Sequence, residues 1–264
     1  MNKKLFFVLV PLFFLLLSFQ AGVKKKKVSP EDYGKSIINN FSQKAGMMPV
    51  LFNHWSHRAK FTCRLCHVDI GFAMKNNETG IKAQDNMEGK YCGACHNGKY
   101  EFNGKRVFEA CSKDKNSPNC INCHISTNAV KNSENFKKFA SEMPKDAFGN
   151  EIDWEKAEEQ GIIKLIDKIE GFTLHERPKF KAPQNFDLNA KVEGLPEIIF
   201  SHKKHTNWMG CEGCHPEIFI GVKKGLTTYS MADIFQGKYC GACHNSVAFP
   251  LVNCQKCHIK EDIK

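Results

Sequence analysis

Gly237-Lys238-Tyr239-Cys240-Gly241-Ala242-Cys243-His244-Asn245 repeats, residue for residue, the earlier stretch Gly89-Lys90-Tyr91-Cys92-Gly93-Ala94-Cys95-His96-Asn97. At the centre of both stands Cys-x-x-Cys-His. The same pattern recurs at Cys63-Cys66-His67, Cys120-Cys123-His124, Cys211-Cys214-His215 and Cys254-Cys257-His258, so it takes up twelve of the thirteen cysteines. Two thiols at this spacing can form thioethers to the two vinyl groups of one porphyrin, and the histidine that follows then lies beneath the iron as its proximal ligand. Zinc sites draw on two cysteine pairs per metal and do not require a histidine after each pair. A redox dithiol needs one such motif in an alternating strand and helix context, not six. The pattern therefore implies six covalently bound haem c groups.

Working outward, Phe52 to Asn97 aligns without a gap onto Phe200 to Asn245 at a constant offset of 148 residues, with 19 of 46 positions identical, which marks a duplication. Each copy opens with Phe-x-His-x-x-His (Phe52, His54, His57; Phe200, His202, His205) and is closed by a third haem motif. This gives a triheme unit over 50–125 and a second over 199–264. The longer stretch between motifs in the first unit, Asn97 to Asn119, is rich in Lys, Asn and Gly and reads as a surface insertion. Between the units, 126–198 forms a linker with a helix near 153–169. Asp153 is its N-cap, Trp154 to Gln160 its body and Gly161 its stop, with Ile162 to Ile169 extending it or starting another turn. Glu170 to Pro196 has no periodicity and is expected to lie over the surface.

Elsewhere helix and strand periodicity is weak, and segments such as Phe52 to Phe72 hold too few aliphatics to close a core without porphyrin. The expected fold is that of a multihaem protein, with short helices and irregular loops wrapped around haems and little strand. Ligation and burial of the porphyrin faces would supply the folding energy.

Met1 to Lys4 is basic and Leu5 to Phe19 apolar, a signal peptide or N-terminal anchor over 1–22, followed by a basic and polar lead segment over 23–49. Covalent haem attachment takes place outside the cytoplasm, so the expected location is the periplasm or outer cell surface, with membrane contact only through an uncleaved N-terminus. The formal charge of +10 is concentrated here: the first 27 residues carry six Lys and no acid, while the rest holds 32 basic and 28 acidic residues. Haem propionates would offset what remains, and no nucleic-acid function follows from the charge.

Five histidines lie outside the motifs. His54, His57, His202 and His205 recur in the same places ahead of each unit, which marks them as distal iron ligands; His175, in the linker, has no counterpart and reads equally as a ligand or a solvated side chain. Six irons and five such histidines leave at least one iron to Met87, Met231, a lysine, a neighbouring molecule's histidine or an open position. The two methionines read otherwise as flexible filler against a porphyrin face. Cys111, the unmatched cysteine, reads as an intermolecular disulfide or as a small buried residue against haem.

Taken together, Phe-x-His-x-x-His, Cys-x-x-Cys-His, Gly-Lys-Tyr-Cys-Gly-Ala-Cys-His and the closing motif resemble the triheme domain of the cytochrome c7 type, within the wider cytochrome c3-like group. The resemblance covers both units. It implies that His54 serves the haem of Cys63 and Cys66, His57 that of Cys120 and Cys123, His202 that of Cys211 and Cys214, and His205 that of Cys254 and Cys257. It also implies a histidine four residues before each middle motif, where this chain has Glu88 and Gln236, so that by this scheme the middle haems lack a second histidine unless His175 serves one of them. The function implied is electron transfer in the periplasm or at the cell surface, with other cytochromes or redox enzymes of a respiratory chain as partners. A reductase with an open middle haem and a self-associating, polymer-forming cytochrome are the alternatives.

Overall fold

A computed structural model describes residues 28–114, 116–124, 129–173, 185–188, 195–220, 223 and 225–259. The signal or anchor segment and His175 lie outside the described residues, as does most of Glu170 to Pro196.

Each unit is entered through a two-stranded antiparallel hairpin. In the first, β1 (Lys35–Ile38) pairs with β2 (Val50–Asn53), in the register Lys35 to Asn53 and Ile38 to Val50. The lead segment thus supplies a strand of the first unit. β2 runs directly into helix α1 (His54–Arg58), which carries both candidate distal histidines. The second unit repeats this with β5 (Phe186–Leu188), β6 (Ile198–Phe200) and α5 (His202–Met209). α5 starts at Ser201, whose hydroxyl accepts from the Lys204 amide at 3.4 Å.

Helices α2 (Ala83–Met87) and α6 (Met231–Phe235) precede the middle motifs. Ser230 and Asp233 cap α6 reciprocally: the Asp233 amide donates to Ser230 Oγ at 3.2 Å, and the Ser230 amide donates to Asp233 Oδ2 at 3.2 Å. Both helices stop at a left-handed glycine, Gly89 or Gly237. Most Cys-x-x-Cys-His motifs form a single tight turn in which the histidine amide donates to the carbonyl of the first cysteine, as His96 does to Cys92 at 2.8 Å and His244 to Cys240 at 3.0 Å.

The loop after the middle motif of the first unit carries a short hairpin, β3 (Glu101–Phe102) with β4 (Lys105–Arg106), and returns inward at Phe108. It is therefore more than a surface insertion. Its counterpart in the second unit is short and has no hairpin.

The largest cluster of buried apolar side chains belongs to the linker. Phe136, Ala140, Met143, Ile152, Trp154, Ala157 and Ile163 form the buried cluster, with Trp55 and Trp208 from the two units packed against it. Two helices build it: α3 (Ala129–Ser141), which the sequence reading lacks, and α4 (Trp154–Glu159). Asp153 caps α4 as expected, accepting from the Lys156 amide at 3.1 Å. Helix does not continue to Ile169, because Gly161 turns left-handed (φ 69°) and the chain then extends beside the first unit, with the Ile166 amide donating to Lys60 O at 2.8 Å. Among the described residues, no helix is long and apolar enough to cross a membrane.

Candidate functional site

Within the units the place of an aliphatic core is taken by a connected cavity of about 2210 Å³. Pockets for a single small molecule occupy about 300–1,000 Å³. Its walls include His54, His67, His57 and His96 of the first unit and His205, His244 and His258 of the second, together with ten of the motif cysteines.

The histidines face each other in pairs. His54 and His67 have ring centres 6.4 Å apart with planes within 5° of parallel. His57 and His96 are 6.2 Å apart at 51°, and His205 and His244 are 6.2 Å apart at 54°. With metal–nitrogen bonds of about 2 Å and about 1.1 Å from ring nitrogen to ring centre, two imidazoles on opposite sides of one metal ion stand roughly 6.3 Å apart. His202 and His215 occupy the places of His54 and His67 in the repeat. Phe200 meets His202 edge-on at 4.8 Å, as Phe52 meets His54 at 4.8 Å.

These pairs correct the assignment that the resemblance implied. His57 faces His96 of the middle motif, not His124, and His205 faces His244, not His258. The reason is local: three residues of helix carry the second histidine from the first motif to its spatial neighbour, the middle one. These three pairs take up the first and middle motifs of the first unit and the middle motif of the second, and none of them includes a third-motif histidine, His124 or His258. His57 and His205 thus stand opposite the middle motifs, where Glu88 and Gln236 depart from the resemblance.

Ring orientation is fixed from behind. His54 Nδ1 donates to Gly34 O at 2.7 Å, His67 to Phe72 O at 2.9 Å, His215 to Phe219 O at 2.7 Å and His244 to Phe249 O at 3.1 Å. His205 donates to Ser201 O at 2.8 Å. His57 Nδ1 donates to Ser56 Oγ at 3.1 Å, and that hydroxyl donates on to Asn53 O at 2.9 Å. His124 and His258 donate to Met48 O at 2.5 Å and Pro196 O at 2.9 Å, carbonyls again related by the 148-residue offset. His96 Nδ1 is sealed from solvent with no partner at bonding distance, although the Phe108 carbonyl still acts on it and favours its protonated form. A proton held on Nδ1 leaves the Nε2 lone pair for a metal.

Burial favours the neutral form of six of these imidazoles, the state a metal requires. It pushes His57 down to about 3 and His54 and His244 down to about 4, and it lowers His67, His96 and His205 as well. The same burial pushes the Cys66, Cys92 and Cys243 thiols up to about 12 and Cys95, Cys123 and Cys240 up to about 11. None of the thirteen thiols is in a disulfide. Imidazole spacing, a carbonyl behind nearly every ring and thiols in apolar walls all fit covalently held haem.

Several contributors escaped the sequence reading. Phe108 packs on His96 with ring centres 4.5 Å apart, and Phe249 on His244 at 4.2 Å, twelve and five residues past their histidines, so no fixed spacing shows them. Of the methionine candidates, Met231 lines the cavity. Cys111 is half-buried and accepts from Asn86 Nδ2 at 3.6 Å.

No curated protein sequence matches the chain. Among solved structures, a "c7-type three-heme cytochrome domain" is 38% identical over 29% of this chain and 93% of its own, with a TM-score of 0.26. The "C-terminal hexaheme fragment of GSU1996" is 24% identical over 86% of this chain and 98% of its own (TM-score 0.25). The "dodecaheme cytochrome c GSU1996" is 22% identical over 86% and 74% (TM-score 0.26). The family description "Cytochrome c7 and related cytochrome c" matches residues 50–125 and 198–259, both units and a little over half of the sequence. The chain belongs to the cytochrome c7 and related cytochrome c family, multihaem proteins that hold haem c covalently and carry electrons.

Proposed function

We propose that this chain binds six haems, one at each Cys-x-x-Cys-His, and passes electrons singly along them in the periplasm or at the outer cell surface, between other redox proteins of a respiratory chain. The observation that carries the reading is the set of three imidazole pairs at 6.2–6.4 Å across one cavity. Bound haem c would supply a one-electron carrier at its iron. The chain's own part is to offer an imidazole from each side where the rings face one another, keep the rings from turning through their Nδ1 bonds, and wall off water.

At His124 and His258 the sixth position falls to a ligand other than a described histidine, with Met87, Met231 and His175 as the candidates the sequence offers. An open third iron would instead support a reductase. The mass of the exported, loaded protein should correspond to six haems. Low-temperature electron paramagnetic resonance of the oxidised form should show at least four low-spin bis-imidazole irons. A third-haem signal that is high-spin and shifts with nitrite or cyanide would favour the reductase, and fewer than six haems would sink the reading.

A further inference from the structure

Arg58 follows His57 at the end of α1 and points into the junction between the two units. Its guanidinium lies 4.7 Å from the ring centre of Trp154 in the linker and 5.0 Å from that of Trp208 in the second unit. Nη1 donates to Val247 O at 2.7 Å, while Nε is sealed from solvent and has no partner. Among the described residues no carboxylate forms an ion pair with it; Glu158 is the acid whose charge reaches it. Val247 belongs to the loop between His244 and Phe249. That loop is pressed against the first unit: a methyl group on Gly34 would stand 3.5 Å from both His54 Cβ and Ser246 O, and Tyr33 Oη donates to Ala248 O at 2.5 Å. The haem site of Cys63 and Cys66 and that of Cys240 and Cys243 therefore meet here, and the Cys63 and Cys243 thiols both lie within electrostatic range of Arg58.

A cation in such a place has two aromatic faces to hold it and, among the described residues, no carboxylate ion-paired with it, so its field reaches its neighbours at low effective dielectric. We propose that Arg58 is a fixed positive charge at the crossing between the units, raising the reduction potentials of the two haem sites it stands between, His54/His67 and His205/His244. The inference rests on the six-haem reading above. A ferric centre carries one more positive charge than a ferrous one, so a nearby cation favours the reduced state. One electron leaving a reduced site on one side of Arg58 oxidises that iron and reduces the iron on the other side, and the guanidinium stabilises the electron on both.

The test is spectroelectrochemical titration of the fully loaded protein, after haem content has been counted by mass, for the wild type and for Arg58→Gln, Arg58→Lys and Glu158→Gln. Arg58→Gln should move two one-electron transitions to lower potential. At fixed potential their reduced-to-oxidised ratio should fall about threefold to tenfold, tenfold being about 59 mV for one electron. Because the guanidinium is clamped between two aromatic rings with Nε sealed from solvent, most of the shift should persist at high salt. Arg58→Lys should restore most of it. Glu158→Gln leaves the aromatic clamp intact and should shift the same transitions upward, which keeps the test available if Arg58→Gln loads poorly. Full loading with potentials unchanged in both neutral variants, or equal shifts for Arg58→Gln and Arg58→Lys, overturns the proposal alone. A wild-type mass lacking haem at Cys63/Cys66 or Cys240/Cys243 overturns the six-haem reading with it.

Discussion

A methyl group on Gly241 would stand 1.9 Å from the Ile234 carbonyl oxygen, and one on Gly93 1.9 Å from the Asn86 oxygen, so the middle residue of each repeated motif is held to glycine by the helix packed against it. Backbone would have to move to admit alanine, and overpacking of this kind costs about 1–3 kcal/mol. Gly241→Ala should lower the denaturant midpoint of the loaded protein by a corresponding amount, with the middle haem of the second unit attached less completely, as mass would report. The motif itself was legible as haem attachment because thiol and imidazole chemistry at this spacing has few other uses. Its glycine was legible only as a repeated letter, since the oxygen that excludes a side chain comes from another element. The same limit explains the histidine pairing. His57 and His205 could be picked out by their recurrence, but the iron each faces depends on the turn of α1 and α5. His57→Ala should therefore strip a ligand from the middle iron of the first unit and leave its third iron unchanged. In a Cys92→Ala/Cys95→Ala background it should add no high-spin signal, whereas in a Cys120→Ala/Cys123→Ala background it should.

At the level of elements, the linker is what sets the two units beside each other. Asp167 anchors it to the first unit: it accepts from Arg64 Nε at 3.0 Å and from Thr62 Oγ1 at 2.7 Å, while Arg64 Nη2 donates to the Asp167 carbonyl at 2.7 Å. Arg64 is only 5% exposed and its other acid, Asp69, is 3.5 Å away. Asp167→Ala leaves that guanidinium short of a partner and should cost about 1.5–3 kcal/mol, read as a lower melting temperature and faster proteolysis of the linker. On the other side, Tyr33 ties the lead segment to the second unit, and desolvation is the main reason its phenol is pushed up to about 12. The unfolded chain would lose that proton near the ordinary value of about 10. Stability linked to Tyr33 is thus intact below about pH 10 and lost as pH rises towards 12. Tyr33→Phe should flatten that part of the stability profile. Little of this could be read in advance. α4 was announced by Asp153 and Gly161, but α3 was missed although Phe136, Phe139, Ala140 and Met143 recur at helical spacing, because Lys and Asn dominate the segment. Arg64, Asp167 and Tyr33 act across long separations that leave no local pattern.

In the whole molecule, the two kinds of core make opposite demands on the cofactor. The linker cluster is built mostly of protein side chains packed on one another, around Ala157, which is fully buried, and Trp154, at 7% exposure. Each unit instead surrounds the shared cavity, with paired imidazoles and motif thiols where a globular domain would place leucine and isoleucine. Without porphyrin those walls have nothing to pack on. The loss of dispersion and apolar burial would be felt by every short helix at once, none of which is long enough to persist by itself in water. Haem attachment should therefore be coupled to folding of the units, while the linker meets the haem sites along one side, through Trp55 and Trp208 and through Ile152 and Trp154 at the cavity wall. A chain with every motif cysteine replaced by alanine should show no cooperative thermal transition by circular dichroism, and its unit amides should exchange with solvent at near unfolded rates. Slower exchange should be confined to α3, α4 and their neighbours. Cooperative melting of that haem-free chain at the temperature of the loaded protein would mean that the loops, and not the porphyrins, hold the units together.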